Sequence, residues 1–219
     1  MTMAYSEEKR QRLFRSARGL TCLFWTALTA VAGFWAVDAA RLRGGTMVAV
    51  GLLFVIPLLA GMWLLGSAMA GMRRSGGYGV FWAISTALIA LSPFGTFWRM
   101  HPQVAYFAWN AAALWMAWMA WLSASCWLVR RYARDLGDAT LAFEAALSGA
   151  LVPAFGAGVA VLPCVAMARS GAVWSLDNLL LALGALTAEA RLVAAFPFLI
   201  AAYILWLAKE SGYRRLMAG

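Results

Sequence analysis

Apolar runs of about 20 residues alternate along this chain with short segments that carry nearly all of its charge. Each run is long enough, as a helix rising about 1.5 Å per residue, to cross a hydrocarbon core of roughly 30 Å. The pattern predicts an all-α integral membrane protein, a bundle of six transmembrane helices at about 20–40, 46–71, 78–98, 104–129, 141–168 and 192–208. Residues 1–19 form a basic arm before the bundle and residues 209–219 a polar tail after it. In the arm, Ser6, Glu7 and Glu8 supply a capping oxygen and negative charge for a helix start. Five Lys and Arg follow with Leu13, Phe14 and Ala17 interleaved, the pattern of a short amphipathic helix on the cytoplasmic leaflet.

The runs also carry their own interruptions. Pro57 predicts a kink in the second span, and Pro93 with Gly95 a break near the end of the third. Pro153 and Pro163 predict a kinked or interrupted fifth span, which needs neighbouring protein or water to satisfy its freed backbone groups. The apolar segment 178–208, taken as one helix, is roughly 45 Å long and exceeds the core. It is therefore divided into an interfacial or re-entrant helix, capped by Asp177 and ending near Ala190, and a last span from about Leu192.

One polar island, Arg130 to Glu144, separates four front spans from two back spans. Its cations Arg130, Arg131 and Arg134 face Glu144 across a turn at Gly137. These four side chains are expected to close as a salt-bridged cytoplasmic knot, and a partner on that side would meet the bundle there.

Charge fixes the direction of the chain. With the N-terminus inside and six spans, thirteen of the 18 Lys and Arg fall in cytoplasmic segments and five in outer ones. That asymmetry predicts cytoplasmic N- and C-termini in the cell inner (plasma) membrane. The net charge of +9 therefore matches anionic headgroups at the cytoplasmic face and not a nucleic-acid surface. Composition agrees: 64% of residues are hydrophobic and 12% charged, with a mean hydropathy of +0.75. Soluble domains are nearer half apolar and a quarter charged.

Candidate chemistry is sparse. Cys22, Cys126 and Cys164 are isolated, without a CxxC, and read as buried reduced thiols. No Gly-rich phosphate loop, metal-ligand spacing or nucleophile with a base occurs. No catalytic residue, metal or cofactor is predicted; bound lipid is the expected ligand. His101 is the only histidine, so paired imidazole ligation is excluded. Glu189, Arg191 and Asn110 are the candidate substrate or ion groups, because a charge deep in a bilayer costs roughly 3 kcal/mol. Dividing the last segment moves Glu189 and Arg191 to the outer interface, where they anchor instead. Asn110, Ser85, Thr86, Ser123 and Ser125 read as interhelical glue.

Two features suggest contacts with other helices. Small residues share faces at Ala32, Ala36 and Ala40, and at Gly66 with Ala70. Trp115, Trp118 and Trp121, spaced by three, form a stripe for helix packing or for lipid, cofactor or partner. Trp25, Trp98, Trp127, Trp174 and Trp206 lie near predicted interfaces, as an aromatic belt.

Six spans with cytoplasmic termini and an interfacial N-terminal helix resemble the permease half of ABC-2-type exporters. Size and span count also resemble the substrate-binding components of energy-coupling-factor importers, in which small-residue faces on the first span dock a partner. Ala32, Ala36 and Ala40 are the residues that touch this second comparison, and neither carries a binding site over to this chain. The sequence reads as a non-catalytic subunit of a larger membrane protein complex, with a small-molecule transporter or its membrane subunit as the alternative.

Overall fold

The computed structural model describes residues 7–39, 44–68, 77–101, 103–171, 173, 178 and 188–218. Among them the helices are α1 (Glu7–Ala39), α2 (Gly44–Gly51), α3 (Val55–Ala68), α4 (Gly77–Met100), α5 (Ala105–Leu136), α6 (Ala139–Ser170) and α7 (Ala188–Ala218). No described residue lies in a strand. Among the described residues, five apolar segments are long enough to cross a membrane: Val48–Ala68, Gly77–Met100, Ala105–Leu136, Ala139–Arg169 and Leu192–Met217.

α1 and α7 run antiparallel. Ala17 on α1 meets Gly212 on α7, and Phe24 meets Trp206 with ring centroids 5.5 Å apart. The start of α1 and the finish of α7 therefore share one end of the bundle. α5 and α7 are parallel and supply the interior. Trp118 packs between Phe54 and Phe198 with centroids 4.9 and 5.2 Å away. Trp121 lies 5.7 Å from Trp118 and 6.1 Å from Phe81. Trp115 donates its indole N–H to the Gly156 carbonyl at 3.3 Å. The tryptophans of the stripe thus pack against rings and backbone of neighbouring helices inside the bundle.

The interruptions fall differently from the sequence expectation. The second span breaks over Leu52–Phe54, where Leu53 N–H reaches the Val50 carbonyl and Val55 N–H the Leu52 carbonyl. Pro57 is the third residue of α3, where no intrahelical donor is needed, and its ring would clash with the Leu53 carbonyl of a continuous helix. Around Pro93 the helix α4 continues unbroken to Met100. Proline removes the donor that Ile89 would have used, and the Ser92 hydroxyl supplies a replacement at 2.8 Å. α6 is likewise continuous through Pro153 and Pro163.

Two more corrections concern the ends. The arm and the first predicted span are one helix of 33 residues, not a surface helix followed by a span. Within the described residues no division falls at Ala190, since α7 runs without a break from Ala188 past Pro197 to Ala218. The polar tail is its last turns. Asp177 and the proposed re-entrant segment lie largely outside the described residues.

Close backbone approach is needed where α1 crosses α3. A Cβ added at Gly61 would lie 2.8 Å from Leu23 Cδ2 and 3.2 Å from the Gly19 carbonyl oxygen. Gly19 and Gly61 thus do what small-residue pairs do in membrane bundles.

Candidate functional site: the charged end of the bundle

Exposed tryptophans mark the base of this end. Trp25, Trp206 and Trp127 are 53%, 43% and 40% exposed. Lys209 Nζ stands 3.4 Å from the Trp206 ring centroid, and the Arg131 guanidinium 5.7 Å from that of Trp127. Cations lying over exposed indoles are what an amphipathic side chain does at a membrane interface.

Beyond these rings the helices remain packed. Leu13, Ala17 and Leu20 recur at helical spacing on α1 and are buried, with Tyr132 and Ala133 of α5, Leu141 of α6 and Ala208 of α7. Any side chain at Gly212 would meet the Tyr132 hydroxyl at 2.6 Å and Ala17 Cβ at 3.3 Å. The apolar stripe of the arm is therefore spent on protein contacts, which is why the arm stands up as part of α1.

The island itself is held by a turn and a cap. Gly137 adopts the left-handed conformation at φ 71°, and the Gly137 and Asp138 N–H groups close α5 on the Arg134 and Ala133 carbonyls at 2.9 and 2.8 Å. The Asp138 carboxylate accepts from Leu141 N–H at 3.1 Å, capping α6, and from the Ser211 hydroxyl of α7 at 3.1 Å. One side chain thus ties α6 to α7 at the turn that ends α5. Among the described residues no ion pair reaches Glu144; Arg130 and Arg131 are half-buried and Arg134 exposed. The turn was legible from Gly137, but the Asp138–Ser211 bond spans 73 residues and no local signal marks it. Asp138→Ala should lower the thermal stability of the purified protein by about 1 kcal/mol, with Ser211→Ala costing less. Detergent melting curves would measure both.

The other predicted residues disperse. Glu189 and Arg191 lie in the first turn of α7, at the opposite end, and their side chains are outside the description. Asn110 is half-buried and donates to its own helix at the Tyr106 carbonyl, 2.8 Å away. Ser85, Thr86 and Ser125 do the same to Phe81, Trp82 and Trp121, so they satisfy themselves locally instead of joining helices. Ala32 is exposed, the Ala36 side chain is not described, and Ala40 and Ala70 lie outside the described residues. Gly66 faces the Tyr78 hydroxyl. His101 is exposed beside Phe107. Among the described residues no group of His, Cys, Asp and Glu could hold a metal ion.

A shallow groove of about 310 Å³ opens between α3 and α4, lined by Met62, Trp63, Gly66, Ser67, Tyr78 and Trp82. Tyr78 closes it by donating to the Met62 carbonyl at 2.6 Å. Its surface is aromatic and outward-facing, with Trp63 71% exposed.

Compared with protein families, characterised proteins and solved structures, the chain matches none of them.

Proposed function

We propose that this chain is a non-catalytic subunit of a larger inner-membrane protein complex, crossing the membrane six times with both termini in the cytoplasm. Residues 20–39 of α1 supply the sixth crossing. Two aromatic levels support this placement. Trp127 and Trp109 on α5, both exposed, are 18 residues apart, or about 27 Å along the helix, close to the thickness of a hydrocarbon core. The arginine-rich end then lies beyond the inner level, on the side where Lys and Arg accumulate.

The observation that carries the subunit reading is the aromatic stack of Phe54, Trp118, Phe198, Trp121 and Phe81. Trp118 lies midway between Trp109 and Trp127. A transporter needs a polar path through that level, and here it is filled by interlocking rings. A filled interior leaves the outside of the bundle as its working surface: the groove, the lipid-facing ridges and the charged end.

Thiol labelling tests the filled interior. Cys126 is 1% exposed. In membranes carrying a Cys22→Ala, Cys164→Ala background, it should resist N-ethylmaleimide until the protein is denatured, as should Ser85→Cys. Gln103→Cys, at an exposed loop position, should label at once. Rapid labelling at 85 and 126 in the folded protein would indicate a water-lined path and favour transport.

A further inference from the structure

We propose that the charged end is a docking post for a soluble protein with an acidic face, held away from the headgroup layer by the length of α1. The inference rests on the subunit reading and gives that subunit's aqueous-side partner its chemistry.

Height is the first argument. The Phe24 ring lies 5.4 Å from Trp25 and 5.5 Å from Trp206, which puts both exposed indoles at one level. From the end of the proposed crossing at Leu20 the helix continues toward Glu7 without a break, carrying Arg15 about 7 Å and Arg10 about 15 Å past it. A headgroup layer is only about 5–8 Å deep. Arg10 therefore stands roughly 7–10 Å past it, about one Debye length at physiological salt. Attraction between Arg10 and anionic lipid is weakened by screening at that distance.

The arm also cannot lie down. A helix resting in the interface buries its apolar face in the acyl boundary. Leu13, Ser16, Ala17 and Leu20 have that face covered by protein, and Gly212 with Tyr132 forms the seat. What remains outward is Arg10 and Arg15, exposed and without an ion-pair partner among the described residues. Arg12 is held by Glu8, and Arg18 lies over the Phe14 ring.

The chemistry favours protein over phosphate. Phe14 is 45% exposed and Met217, on the last turn of α7, is 80% exposed. Met217 lies about 16 Å beyond Trp206 along its helix, again past the headgroups. Arg, aromatic and Met side chains together are the composition of protein interface cores. Glu7, Glu8, Asp135 and Glu210 interrupt the cations, which suits a patterned protein face better than a run of phosphates. Eleven Lys and Arg against six Asp and Glu on the ends of α1, α5, α6 and α7 make a second copy of this face a poor partner.

The test uses the full chain in phosphatidylcholine nanodiscs, with and without phosphatidylglycerol. A fluorophore on Arg10→Cys, in the Cys-depleted background, should be quenched by aqueous iodide and not by spin-labelled headgroups in either lipid. A fluorescent glutamate-rich peptide containing phenylalanine should bind at about 0.15 M salt. Arg10→Glu with Arg15→Glu should weaken it about tenfold or more, and Phe14→Ser should weaken it further. The melting temperature of each variant should stay at the wild-type value, because these side chains are exposed. Headgroup quenching at position 10 would overturn the post. So would peptide binding that survives the double charge reversal, or tighter binding of a DNA duplex of equal charge. Failure here with a partner subunit still bound would sink the post and leave the subunit reading intact.

Discussion

Gly61→Leu should abolish recovery of folded protein, and Gly61→Ala should cost about 1–3 kcal/mol. The reason is distance. A Cβ at position 61 meets Leu23 at 2.8 Å, Cys22 at 3.2 Å and the Gly19 backbone at 3.2 Å, so part of the obstruction is backbone that cannot rotate aside. Relief requires α1 and α3 to separate along a contact that buries Leu20, Leu23, Leu58, Met62 and Leu65. Dispersion contacts along that seam are what hold two apolar helices together in lipid, where no hydrophobic driving force remains between them. Gly158 provides the control, because nothing lies within 4 Å of an added Cβ. Gly158→Ala should be neutral or stabilising by up to about 1 kcal/mol. Detergent melting followed by size exclusion reads both; equal behaviour of positions 61 and 158 would refute the close crossing.

Trp121→Ala should destabilise the bundle by about 3–5 kcal/mol, and Trp118→Ala by a similar amount. Trp121 is 0% exposed and Trp118 is 7% exposed, and each meets aromatic rings from other helices. Truncation removes those contacts and leaves a void that a rigid helix packing cannot close. Trp109, 62% exposed, should tolerate alanine within about 1 kcal/mol. Unfolding of the three variants in mixed micelles gives the comparison. Similar losses at 109 and 121 would mean that the stripe is not the core.

These two cases show what the chain pattern does and does not say. Helix content and five long apolar runs were legible because run length against bilayer thickness is a strong constraint. The face of the tryptophan stripe was not, since a three-residue spacing has the same look whether it turns toward lipid or toward Phe54 and Phe198. Proline was over-read for a local reason. A missing donor matters only where its acceptor has no other partner, and at Pro93 the Ser92 hydroxyl provides one. At Pro57 the break lies upstream, over Leu52–Phe54, because the ring opposes the Leu53 carbonyl.

The charged end divides in the same way. Arg130 to Glu144 reads from sequence as a turn, and Gly137 is its stop. Its closure through Asp138 and Ser211 joins residues far apart in the chain, and so do Ala17 and Gly212. The amphipathic face of the arm was visible as Leu13, Phe14 and Ala17, although Phe14 is 45% exposed. Whether lipid or protein would cover it was not, because both present the same apolar chemistry to a leucine.

A bundle filled by its own aromatic rings is expected to work through its outer surface as part of an assembly. Extraction from its native membrane in mild detergent, followed by native mass spectrometry, tests it most directly. The prediction is a defined complex whose mass exceeds the 23.7 kDa of this chain by one or more other polypeptides in fixed ratio. A clean monomer, carrying lipid alone under conditions that keep the bundle folded, would contradict it.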